Sequence, residues 1–468
     1  MLTQDLLSRD IISAVLKKAM STGGDFAEIF VESTLKTNLN VINAKVDAAL
    51  SARNFGVGIR VLKGTKCVFA STNDISLSSL LDVASRLADA IGNLKNDITI
   101  KLTEKKHRLS HAGGAYEVTS ADFKRKSEIA LSAYHIAKNY SNEISQVSVS
   151  AIDWDSDILI ANSNGILTFD KRIYTRMAVN AIASDGSQNQ TGHASPGRRM
   201  GYEMFEKEVN IEQEAIKAAK TAVTMLHAKE CPSRKMTVAI ENGFGGVIFH
   251  EACGHSLEAT SVGRGNSEFC GKLGQLIANE KVTAIDDATL PNAWGSIDID
   301  DEGNETRRNV LIENGVLKGY MIDELGSRRM GMAPTGSSRR ESYEYAPTSR
   351  MTNTFIAAGN DEDGDIIASI EDGLYAKQMG GGSVNPVTGE FNFSVAEGYL
   401  VKNGKITEAV RGASLVGKGS EILTKIDMVG KNLALGQGMC GSISGSIPTN
   451  VGQPLIRVSE ITVGGRGE

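Results

Sequence analysis

Three Asn-Gly pairs, Asn164-Gly165, Asn314-Gly315 and Asn403-Gly404, each stand between two apolar runs. A tight two-residue hairpin turn needs positive φ, which Gly and Asn tolerate, so the pair is the strongest short-range hairpin signal a sequence carries. Antiparallel strand pairs are therefore expected at three places. One follows the strand-like text around 146–151 and enters Ile166–Ser184. A second joins Arg308–Ile312 to Val316–Ile322, and a third joins Glu397–Val401 to Lys405–Val410. A chain built this way is not a strict strand-helix alternation around a parallel sheet. The glycine content agrees: 49 glycines against 8 prolines in 468 residues describe a chain of turns and close backbone approaches.

Helical spacing appears between the strand groups. Leu7, Ile11, Val15 and Ala19 recur four apart within 4–20, and similar periodicity covers Ser79–Leu94, Ala121–Tyr140 and Glu206–Leu226. Short β-rich runs such as Glu28–Val31 and Val57–Val61 read as strands. The polar stretch Ala228–Lys235, with Cys231-Pro232 inside it, divides the text. The expectation is an α+β protein: an N-terminal mixed helix/strand domain, 1–229. A glycine-rich, mainly β C-terminal domain, 230–468, follows it.

Charge and cysteines narrow the function. With 50 Lys+Arg against 56 Asp+Glu the net charge is −6, which offers no general attraction to nucleic acid or an anionic membrane. No apolar run approaches the roughly 18 residues of a membrane span, and Met1–Leu7 has no basic region leading into an apolar one. Cys67, Cys231, Cys253, Cys270 and Cys440 are odd in number and scattered, so a disulfide framework is not expected and a cytoplasmic setting is. Cys67, Cys231 and Cys270 are read as small buried hydrophobes.

The sharpest local signal is His250-Glu251-Ala252-Cys253-Gly254-His255, which holds two of only seven histidines. It follows a strand at Met236–Ile240 and a glycine turn, with Asn242 as a helix cap and Phe244, Val247 and Ile248 as the buried face. Two imidazoles and a carboxylate are the parts of a hydrolytic metal centre. The spacing is unusual, since residues five apart on a regular α-helix diverge by roughly 140°. An irregularity, π-type or glycine-induced, is expected at Ala252–His255 to turn both rings to one side. Cys253, three residues after His250, is a candidate third ligand, and Glu258 a group that supports a ligand.

The segment Gly245–Glu258 resembles the TldD/PmbA peptidases, in particular their metal-binding, TldD-type branch. So do Arg339-Arg340-Glu341-Ser342-Tyr343, Pro347, Arg350–Thr354, Gly436–Gly441, Val451–Pro454 and Thr462–Gly465, in the same order. The resemblance implies one Zn2+ per chain held by His250, His255 and the distant Cys440, with an open fourth position. Glu251 would be the general base toward a metal-activated water, in a peptidase of short or unfolded peptides. It also implies a two-subunit assembly, either a homodimer or a heterodimer with a PmbA-type subunit. The other class of reading is a non-catalytic binding or assembly subunit, whose PmbA-type relatives lack the paired histidines. Arg339, Tyr343 and Arg350 are candidates to grip a substrate carboxylate or carbonyl. The strand-like Glu390–Val395 after Gly380–Gly382 is a candidate edge for an extended peptide.

Overall fold

The computed structural model describes residues 7–95, 97–106, 121–385 and 388–467. Its architecture is α+β and is organised around three main sheets. The first takes all its strands from before residue 199, the other two from after 228.

Two long strands, Phe26–Ile42 and Lys45–Lys63, form a hairpin of the first sheet, where short runs were expected. They pair along their length, and Phe26–Ile42 pairs also with Ile144–Asn162, which continues into Ile166–Ser184 through the Asn164-Gly165 turn. Strands this long serve two separate cores. At one end Ile29, Val31, Ile59 and Val61 pack under helices Arg9–Ala19 and Leu77–Ile91. At the other, Leu39, Val41, Val149 and Val179 pack under Phe123–Lys138 and Ile211–Leu226. The first helix starts at the cap Ser8, whose side chain accepts from the Ile11 N–H. Positions 4–6 of the expected helix lie outside the described residues. The helix expected over 206–226 breaks in two, because Asn210 caps a fresh start at Ile211.

The second sheet closes on itself. Asp372–Val384, Arg234–Ile240, Ile456–Gly464, Ser414–Lys418 and Glu390–Lys402 follow one another, and Glu390–Lys402 pairs back onto Asp372–Val384. The expected peptide-docking edge at Glu390–Val395 is thereby corrected: its backbone groups are taken by neighbours on both sides. The core of this barrel includes Val238, Ile240, Phe393, Leu415, Val458 and Val463. The third sheet has six strands and ends on the hairpin of Gly445–Gln453 and Ala434–Ser442, the latter an edge strand. Asn314-Gly315 and Asn403-Gly404 turn the expected hairpins with positive φ at both residues. No helix among the described residues is long and apolar enough to cross a membrane.

A buried ion network joins the halves. Arg60 lies 2.7 Å from Glu28 and 2.6 Å from Glu302, Arg172 lies 2.7 Å from Asp301, and Arg199 lies 3.2 Å from Asp298. Arg340 reaches back to Glu28. The acidic run 298–302 is thus the C-terminal half's counterpart to arginines of the N-terminal half.

Candidate metal centre

The barrel strand Arg234–Ile240 leads through Gly243, at φ 69°, into a segment that changes pitch repeatedly. Phe244–Gly246 is a 3-10 turn, Val247–Phe249 is α-helical, His250–Gly254 is a π-helix and His255–Leu257 is again 3-10. The expected irregularity is present and begins two residues earlier than expected. The His255 N–H donates to the His250 carbonyl, an i to i+5 bond that stacks the two histidines on one side. Their ring centroids lie 5.1 Å apart, nearly perpendicular. Asn242 does not cap this segment; its side-chain amide donates to the Asn432 carbonyl.

Cys440 arrives on the edge strand Ala434–Ser442. Its Sγ lies 3.2 Å from His250 Nε2 and 3.3 Å from His255 Nε2, and the three donor atoms all fall within 4.8 Å of one another. The close approach is made by glycines other than those beside the thiol. A Cβ on Gly246 would collide with the backbone of Gly452, and one on Gly436 would collide with Phe244, whereas one on Gly441 would meet open space. Arg350, fully buried, locks the hairpin from beneath. It donates to Ser444 Oγ at 2.9 Å, to the Gly445 carbonyl at 3.0 Å and to the Cys440 carbonyl.

The electrostatics fit a thiolate between imidazoles. Burial alone would raise the Cys440 thiol, but the His250 and His255 rings outweigh it and bring it down to about 3. Burial works against a charged His255, yet Glu258 and Cys440 lift it well above its ordinary range. The Glu258 carboxylate sits 3.2 Å from His255 Nδ1, leaving Nε2 to face the sulfur. Glu251 is a third exposed, with an oxygen 3.7 Å from His255 Nε2, so the cluster meets solvent on its side.

The donor set suits zinc. Around a tetrahedral ion, bonds of about 2.0 Å to nitrogen and about 2.3 Å to sulfur separate these atoms by about 3.5 Å. The observed 3.2 and 3.3 Å are close to that. Cys253 is no competitor, because its thiol points to the Gly419 carbonyl at 3.6 Å and burial holds it well above the usual range. Cys67 is exposed, contrary to the buried role expected of it.

The three residues expected to grip substrate separate. Arg350 is spent on the hairpin, and the Tyr343 ring is buried with Phe30, Ile158, Ile160 and Ile299 while its N–H donates to Glu32. Of the three, Arg339 lines a cavity between the first sheet and the Cys440 hairpin. Sequence reasoning missed Arg176, Trp154 and Trp294 on the same cavity. The one available signal was that Trp154 and Trp294 are the chain's only tryptophans.

A barrel that presents two histidines on a π-turn to a cysteine of a neighbouring hairpin brings together the ligands of a metal centre. Residues 233–465 match the PmbA/TldA metallopeptidase C-terminal domain, residues 116–226 its central domain and residues 27–91 its domain 1. The chain belongs to this PmbA/TldD family. It is 34% identical to a metalloprotease TldD homolog of Buchnera aphidicola, over 94% of this chain and 93% of that one. It is 36% identical to one of Haemophilus influenzae, over 88% and 86%. Among solved structures, a Thermotoga maritima protein described as a candidate modulator of a DNA gyrase shares the fold. Its TM-score is 0.79 at 23% identity, over 97% of this chain and 99% of that one.

Proposed function

We propose that the chain is a zinc-dependent peptidase hydrolysing short or unfolded peptides, with Glu251 as general base. The observation that carries this reading is the convergence of His250 Nε2, His255 Nε2 and Cys440 Sγ beside a solvent-reachable carboxylate. The metalloprotease names of relatives more than 30% identical over most of their length support it. Bound there, zinc would supply Lewis acidity and lower the pKa of water at its open position. Imidazole and thiolate together favour that metal over magnesium or calcium.

The protein's own residues divide the work. Glu258 holds His255 by its Nδ1 and keeps the ring from turning. Arg350 and the hairpin hold Cys440 against the π-turn. Glu251 takes a proton from the attacking water and returns it to the departing amine nitrogen, a task that needs a carboxylate reachable by both.

Glu251→Gln separates binding from chemistry. The variant is expected to retain one zinc per chain by elemental analysis and to lose cleavage of an unfolded peptide by about 10²–10⁴-fold. Undiminished cleavage in the variant, or wild-type protein that takes up no metal, would discard the proposal.

A further inference from the structure

A cavity of about 360 Å3 lies between the first sheet and the hairpin that carries Cys440, and Met439 forms part of its lining. That volume falls in the roughly 300–1,000 Å3 range of small-ligand sites. Trp154, Tyr174 and Trp294 form one aromatic wall, with ring centroids 5.0, 5.3 and 5.4 Å apart.

Two arginines on this cavity, the buried Arg339 and the half-buried Arg176, differ from Arg172 and Arg340 on the same lining and from Arg60 beside them. Arg60, Arg172 and Arg340 each bind at least one carboxylate. Arg339 is 3% exposed, makes one hydrogen bond, to the Met351 carbonyl at 2.8 Å, and has no carboxylate within ion-pair distance among the described residues. Arg176 donates to Ser195 Oγ at 2.6 Å and to the Gln437 carbonyl at 3.4 Å, lies over the Trp294 ring at 5.6 Å, and likewise has no acidic partner among the described residues. The carboxylates on the lining are engaged elsewhere: Glu32 by Thr34 and the Tyr343 N–H, Glu341 by the Ser446 N–H. Burial, opposed in part by Tyr174 and Asp301 and reinforced by Arg172 and Arg350, brings Arg339 down to about 10, and burial lowers Arg176 too. Arg60 and Arg172, also opposed by burial, are raised because their acidic neighbours outweigh it. A buried cation with no carboxylate in direct contact is costly, and an arriving anion reduces that cost.

We propose that this cavity is a carboxylate-recognition site, in which Arg339 and Arg176 receive a peptide carboxylate and the three aromatic rings receive the apolar side chain beside it. That the ligand is a peptide rests on the peptidase reading; that it carries a carboxylate rests on the two arginines. The carboxylate has two possible sources, a C-terminus or an acidic side chain.

The chain's two tryptophans both line the site, so their fluorescence reports binding directly. The zinc-loaded Glu251→Gln protein is titrated with N-acetyl-Ala-Ala-Phe, its C-terminal amide, and N-acetyl-Ala-Asp-Phe amide. The free acid or the Asp-containing amide, whichever source the site reads, is expected to bind at least about tenfold more tightly than the uncharged amide. Arg176→Gln, on a half-buried position, and Arg339→Gln are each expected to reduce that preference. Affinities within twofold for all three peptides would overturn the proposal without any variant having to fold, and so would a preference that survives both substitutions. Wild-type cleavage measured in parallel keeps the two ideas apart. Cleavage without carboxylate preference sinks the cavity site alone, whereas preference without metal or cleavage sinks the peptidase reading alone.

Discussion

Glu258 and Cys440 take one ring nitrogen of His255 each, and the hydrogen bond from Nδ1–H to Glu258 is what leaves Nε2 to ligate. Glu258→Gln should therefore weaken zinc binding by about 10–100-fold while leaving the fold intact, measured by competition against a chelating dye. Cys440→Ser should abolish stoichiometric zinc, whereas Cys253→Ala should keep it, because that thiol faces Gly419. The residues alone offered Cys253 as the third ligand, and only the family resemblance pointed to the distant Cys440. Spacing along a chain says nothing about which of two thiols a later hairpin folds back. Glu251 and the paired histidines were legible because their chemistry is local.

At the level of elements, the π-turn was readable for a geometric reason: rings five residues apart cannot share one side of an ordinary α-helix. The clamp that sets it against the hairpin was not. It depends on Gly246 meeting Gly452 and Gly436 meeting Phe244, contacts between segments about two hundred residues apart. Gly246→Ala is expected to cost about 1–3 kcal/mol in urea unfolding, since backbone stands where the methyl would go. Gly441→Ala, one residue from the thiol, should change stability by less than about 0.5 kcal/mol. The long strands were also under-read, because each changes its buried partners midway and so interrupts the alternation that marks a strand.

Across the whole molecule, the halves are joined by buried charge more than by a shared apolar core. Asp300, beside the acidic run's contacts, is raised by burial to about 6 despite accepting from Glu302, Asn304 and Ser338 N–H groups. A carboxyl whose folded value exceeds its unfolded one binds more protons folded, so its contribution is complete below about pH 4 and is lost as pH rises through about 6. Asp300→Asn does not titrate there, so its stability penalty in urea unfolding should be larger at pH 4.5 than at pH 7. No single segment announced this joint: Asp298–Glu302 looks like a solvated acidic loop until the arginines of the first sheet cover it. The placement of Cys440 has a consequence for synthesis as well. It leaves the ribosome 185 residues after His255, roughly 10–40 s later at ordinary elongation rates. On the proposed ligation, a nascent chain carries both imidazoles long before it can hold the ion they await. On that reading, the half-made chain cannot yet cleave itself or the peptides emerging around it.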